Sequence, residues 1–128
     1  MRKYLSWGVV PLIEALKIRL KELVIMNAKV DEENLYYLYK AITTLKTADE
    51  CRRFFEDLCT VPELNAMSRR LMVAKLLNDN TVYSEIVAKT GASTATISRV
   101  NRSLNYTSCD GYSLVFERLK ELEGEENK

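Results

Sequence analysis

The stretch Thr81-Val-Tyr-Ser-Glu-Ile-Val-Ala-Lys-Thr90-Gly91-Ala-Ser-Thr-Ala-Thr-Ile-Ser-Arg-Val100-Asn-Arg-Ser-Leu104 decides the fold. It reads as a short helix, a tight turn at Gly91 and a second helix. Ile86 and Val87 lie on the first helix. Ile97, Val100 and Leu104 recur at spacings of three and four on the second, so they share one face and pack the pair together and onto a core. Ala92 sits beside the turn, where a larger side chain would crowd the crossing. Gly91 follows Thr90 where the chain needs a left-handed backbone, which glycine adopts at little cost. Ser93 then caps the second helix. This is the form of a helix-turn-helix whose second helix enters the major groove of DNA.

The other face of the second helix carries Thr94, Ala95, Ser98, Arg99 and Arg102. Short side chains let a helix approach base edges closely. Threonine methyls and alanine touch thymine methyls, hydroxyls bond to bases or phosphates, and arginines reach phosphates or guanine. Tyr83, Ser84 and Lys89 of the first helix are candidate backbone contacts, as is Ser93 at the cap. The plain alternative is a helical hairpin with a solvated polar face. An exposed helix built only for stability favours Glu, Lys and Gln, because Ser and Thr are mediocre helix formers. The crowding of Ser93, Thr94, Thr96 and Ser98 therefore lacks a stability reason, and groove contact supplies one.

Working outward, the chain of 128 residues with 47% hydrophobic content suffices for one cored domain. The net charge is only +1, which does not favour nucleic acid. The signs are unevenly spread, however. Lys89, Arg99 and Arg102 surround the motif against Glu85, while the tail carries Glu117, Glu121, Glu123, Glu125 and Glu126. The absence of histidine removes the commonest general base and metal ligand. Cys51, Cys59 and Cys109 show no Cys-x-x-Cys spacing, so the expectation is free thiols in a reducing cytoplasm, with no metal and no cofactor. No run approaches the roughly 18 apolar residues of a membrane span. Leu5–Ile13 is too broken by Ser6, Gly8 and Pro11 to serve as a signal peptide. No glycine-rich phosphate loop or paired-carboxylate spacing appears, so the expectation is not an enzyme.

The pattern is helical throughout, and the expected class is all-α. Pro11 opens a helix to about Ile25, with Leu12, Ile13, Leu16, Leu20, Leu23 and Val24 apolar. Asp31 caps the next, whose stripe is Leu35, Leu38, Tyr39, Ile42 and Leu45. Thr47 with Glu50 forms a capping box for a helix through Phe54, Phe55 and Leu58. Thr60 with Glu63 forms a second, opening a helix to about Asn78 with Leu64, Met67, Leu71, Ala74 and Leu77 inward. After the motif come a polar loop, Asn105–Gly111, and a last helix, Tyr112–Glu123, ended by Gly124 and a charged tail.

Residues 1–25 stand apart as an N-terminal extension to a domain over 26–128. Met26-Asn-Ala-Lys resembles a protein start, and Lys21-Glu22 can be encoded as a bacterial ribosome-binding sequence at a sensible spacing before it. Translated upstream sequence and a genuine amphipathic N-terminal helix both fit these residues.

Gly91-Ala-Ser-Thr-Ala-Thr-Ile-Ser-Arg99, then Ser103-Leu104, resembles the reading head of the Trp repressor superfamily. The likeness extends through Leu58-Cys-Thr-Val-Pro-Glu-Leu64 and the Arg69-Arg70-Leu71 helix. It is strongest to the YerC/YecD group of Trp-repressor-like proteins, in Phe54-Phe-Glu-Asp-Leu-Cys-Thr60 and Thr90–Val100, and covers roughly Leu35 to Leu122. The resemblance implies an intertwined homodimer that presents two motifs about 34 Å apart to a two-fold symmetric operator on double-stranded DNA. Tyr36, Tyr37, Phe54, Phe55, Tyr112 and Phe116 are many large side chains for one small subunit to bury. The resemblance also implies an effector pocket at Arg69, Thr96, Arg99, Val100 and Ser103, with the two arginines sandwiching an indole ring. Where the family has a glycine against the ring, this chain has Val100, whose side chain intrudes. The expectation is a transcriptional regulator, a repressor, that does not answer to tryptophan and whose effector is unknown. A helical protein-interaction module without DNA binding is the rival.

Overall fold

The computed structural model describes residues 2–106 and 109–126, with side chains from residue 11 onward. Thr107 and Ser108 of the expected polar loop, and the last two residues of the charged tail, lie outside the described residues. Six helices follow in order: α1 (Arg2–Ile42), α2 (Ala48–Leu58), α3 (Val61–Asn78), α4 (Tyr83–Thr90), α5 (Thr94–Tyr106) and α6 (Gly111–Glu126). Among the described residues there is no strand, as the pattern predicts. The chain forms two compact units, Met1–Arg53 and Phe54–Lys128.

In the first unit, α1 is continuous where the sequence suggests two helices. Pro11 lies inside it rather than opening it, and Asp31 is an exposed helical residue rather than a cap. The physical reason is that Met26–Val30 holds neither glycine nor proline, so nothing stops propagation between the two apolar patterns. The proline leaves one carbonyl without its helical donor, a local cost that the turns on both sides absorb. The helix ends where two threonines follow. The Thr43 and Thr44 hydroxyls donate to the Lys40 and Ala41 carbonyls, both at 2.7 Å, and Leu45 N–H turns back to the Ile42 carbonyl. The expected box at α2 is half formed. Glu50 N–H donates to Thr47 Oγ1 at 3.1 Å, but the Glu50 carboxylate accepts from Lys46 N–H at 2.7 Å instead of from Thr47.

In the second unit, α3 begins at a complete box. Thr60 Oγ1 accepts from Glu63 N–H, and the Glu63 carboxylate accepts from Thr60 N–H at 2.8 Å. Pro62 stands in the first turn, where its missing N–H costs nothing. The helix closes on Asn80, whose φ of 59° is left-handed. Asn80 N–H bonds to Leu77 O and Thr81 N–H to Leu76 O, which satisfies two end carbonyls.

The core gathers Val73 and Ala74 of α3, Ile86 of α4, Ala92 of the turn, Ile97 and Val100 of α5, and Phe116 of α6. Leu76, Leu77, Leu104 and Tyr112 pack against it, and Tyr112 stacks on Phe116 at 5.9 Å. Each fully buried Ile or Val contributes about 1.5–3 kcal/mol. The inward face of α3 differs from expectation. Ala74 is buried and Leu64 and Leu77 are half-buried, but Met67 and Leu71 are exposed while Val73 takes a core position. The last helix also differs, since it starts at Gly111 and runs through Gly124 to Glu126. One glycine costs about 1 kcal/mol of helix propensity, too little to end a helix that the turns before it sustain.

Candidate nucleic-acid interface

The turn between α4 and α5 is fixed by backbone conformation and one hydroxyl. Gly91 has φ 65°, and its N–H bonds to the Val87 carbonyl at 2.9 Å. A Cβ built there meets nothing within 4 Å, so the glycine is required by dihedral angle and not by space. Thr90 Oγ1 donates to the Ile86 carbonyl at 2.7 Å and accepts from Ala92 N–H at 3.1 Å. Ala92 is buried at the crossing, as expected. Ser93 Oγ accepts from Thr96 N–H at 3.1 Å and lies 3.0 Å from the Thr96 hydroxyl. These bonds set the direction in which α5 leaves the turn.

The helix then divides into two faces. Ile97 and Val100 are buried, and Thr96 and Leu104 are half-buried. Thr94, Ala95, Ser98, Arg99 and Arg102 are all exposed and contiguous on the opposite side. Asn105 and Tyr106 extend that exposed face, and the sequence reading missed them; Tyr106 falls four residues after Arg102, a spacing that marks the same face. Helix α5 carries no acidic residue, and no salt bridge to Arg99 or Arg102 occurs among the described residues. On α4, Tyr83 and Ser84 are exposed. Lys89 is exposed too, and it pairs with Glu85 at 2.6 Å across one helical turn. Half-exposed pairs of this kind contribute a few tenths of a kcal/mol, about 0.3–0.5.

Arg69, Thr96, Arg99, Val100 and Ser103, separated by up to 34 positions in the chain, line one recess of about 810 Å³ between α3 and α5. Arg70, Met67, Leu71 and Tyr112 join them, none of which the sequence reading included. Val100 is only 3% exposed and belongs to the core, so its isopropyl group forms solid wall. The Thr96 hydroxyl is engaged with Ser93, and Ser103 Oγ donates to the Arg99 carbonyl at 3.3 Å.

Known proteins agree with this architecture. Residues 33–120 match the family model of the Trp repressor protein. The YerC protein of Bacillus subtilis is 46% identical over 97 residues, which cover 76% of this chain and 92% of that one. The crystal structure of a TrpR-like protein from Eubacterium eligens superposes with a TM-score of 0.66 at 55% identity, covering 69% of this chain and 90% of the other. A Staphylococcus aureus structure does so with 0.65 at 45% identity, covering 69% and 87%. The matched span begins within α1 and runs through α5 into α6. The chain belongs to the Trp repressor family.

Proposed function

We propose that this chain is a sequence-specific DNA-binding transcriptional regulator, a repressor, acting in the cytoplasm as a homodimer on a two-fold symmetric operator and not answering to tryptophan. The observation that carries the reading is the outer face of α5. Short hydroxyl side chains, one alanine and two arginines stand exposed together, with no carboxylate on the helix. Such a surface fits base edges and phosphates and gives little to an apolar partner. Regulation without catalysis also fits the family.

Dimer formation is supported by what one chain leaves uncovered. Leu114, Val115, Leu119 and Leu122 of α6 are each at least 43% exposed. Tyr36 and Tyr37 of α1 are 65% and 76% exposed, and of the six large aromatic residues noted in the sequence only Phe116 is buried. Such apolar area calls for a partner subunit. Insensitivity to tryptophan is supported by Val100, which fills the wall against which an indole ring would lie. Isothermal titration with L-tryptophan should show no micromolar binding.

The test is selection of bound sequences from randomised duplexes, followed by affinity measurements at several salt concentrations. The selected site should be an inverted repeat, and binding should weaken steeply with salt. Thr94→Ala and Arg99→Ala should each cost about 1–3 kcal/mol and relax sequence preference at one position. Retention of the same sites at the same affinity by both variants would remove the reading helix from its assigned role. Salt-insensitive capture of a protein in place of a duplex would favour the interaction-module alternative.

A further inference from the structure

Ahead of the family-matched residues 33–120, helix α1 carries an apolar stripe that its own unit leaves uncovered. At about 100° per residue, Leu12, Ile13, Leu16, Leu20, Leu23 and Val24 fall within an arc of about 120°. Each is 43–65% exposed. The stripe is confined to this stretch, because Asn27, Asp31 and Asn34 interrupt its continuation along the helix. Charge is arranged around it by sign. Lys17 and Arg19 stand at its two edges, about 80° to either side of its centre, and Lys21 lies just behind Lys17. Glu14 and Glu22 lie about 140° from the centre, on the back of the helix, where Ile18 and Ile25 also fall. All five charged side chains are exposed. Lys17 reaches Glu14 at 3.2 Å in an exposed pair that holds neither residue firmly, and Arg19 and Lys21 make no salt bridge among the described residues. Residues 1–25 hold five basic and two acidic residues, whereas the rest of the chain holds fourteen and sixteen.

We propose that residues 12–24 lie along the surface of an anionic lipid bilayer, as a peripheral anchor that does not cross it. The stripe sinks to the acyl boundary. Lys17 and Arg19 run their aliphatic stems along it and place their charges at the level of the lipid phosphates. The two carboxylates face water, away from the anionic headgroups. The same charge pattern decides against a second copy of the chain. If two stripes pair in parallel, the Lys17 edge of one meets the Arg19 edge of the other. If they pair antiparallel, each edge meets its own kind. Both arrangements set cation against cation along the seam, where paired helices place opposite charges. A wide anionic surface meets both edges alike. Thirteen helical residues give a contact about 20 Å long, short of the roughly 30 Å of a hydrocarbon core but enough to lie upon it. Among the described residues no helix is long and apolar enough to cross a membrane. The proposal takes residues 1–25 as a genuine N-terminal helix and is independent of the DNA-binding reading.

The experiment sediments the full chain, free of DNA, with vesicles of phosphatidylcholine alone or mixed equally with phosphatidylglycerol. The chain should follow the mixed vesicles, bind the neutral ones about tenfold more weakly, and be released by added salt. Leu16→Ser with Leu20→Ser should abolish binding, and Lys17→Glu with Arg19→Glu should weaken it about tenfold or more. Ile18→Ser with Ile25→Ser places the same substitutions on the back of the same helix and should leave binding unchanged, which separates a lost face from a lost helix. No sedimentation with the mixed vesicles, binding that ignores lipid charge, or equal losses from the two serine pairs would overturn the proposal. Self-association that depends on Leu16 and Leu20, without lipid binding, would give the stripe to a second copy instead. The intact mass of the protein from its own cell should include residues 1–25, and a chain that starts at Met26 would also overturn it. Duplex affinity enters neither arm, so the DNA-binding proposal stands or falls separately.

Discussion

Single residues of the motif are the most legible part of this chain, and Gly91 shows why. Its identity follows from a local need, a left-handed dihedral after a helix end, which the sequence states without any knowledge of the rest of the fold. Because an added Cβ would meet no neighbour, the cost of Gly91→Ala is a backbone cost only, about 1–2 kcal/mol. Gly91→Asn should cost less, since asparagine tolerates this region, as Asn80 does at the end of α3. Urea midpoints of the two variants check this order, and equal losses would contradict it. Ser93 and Ala92 were readable for the same local reason. Arg70 and Tyr112 were not, because their place in the recess depends on how α3, α5 and α6 come together, which no spacing along the chain encodes.

At the scale of helices, caps were readable where both partners lie within one turn. The Thr60–Glu63 box forms as written, and it also sets a charge. The Thr60 backbone N–H, and then its hydroxyl, donate to the Glu63 carboxylate and hold its pKa below the ordinary value of 4.5. A carboxyl group with a lowered folded-state pKa stabilises the fold above its ordinary pKa, and the contribution is lost as pH falls through the lowered value. Denaturant midpoints of the wild type should therefore decline from near 4.5 downward more steeply than those of Glu63→Gln; parallel acid limbs would refute the assignment. Thr60→Ala removes the hydroxyl's share of the box, its acceptor for Glu63 N–H and its donor to the carboxylate, and should cost about 1 kcal/mol at neutral pH. The break expected between Ile25 and Asp31 failed for the opposite reason. Asp31 has the right chemistry for a cap, but capping matters only where a helix would otherwise stop, and no residue in Met26–Val30 stops it.

For the whole molecule, the helical class and the motif's place in it followed from pattern, whereas the small size of the core did not. Periodicity assigns Met67 and Leu71 to the interior, yet both are exposed on the single chain. A stripe meant for a partner subunit and one meant for the chain's own core have the same spacing. That ambiguity gives a prediction. Sedimentation should find a dimer, unfolding midpoints should rise with protein concentration, and Leu119→Asp should lower both the dimer fraction and the midpoint. A wild type that sediments as a monomer and melts at the same temperature over a hundredfold dilution would refute it. Helix α5 also bears on how such a protein diverges. Ile97 and Val100 hold the core from one side of thirteen residues, while Thr94, Ala95, Ser98 and Arg102 stand exposed on the other. On the proposed DNA-binding reading, lineages can exchange those four outer side chains, and with them the preferred operator, at little cost in folding, because the residues that hold the core lie on the other side of the helix.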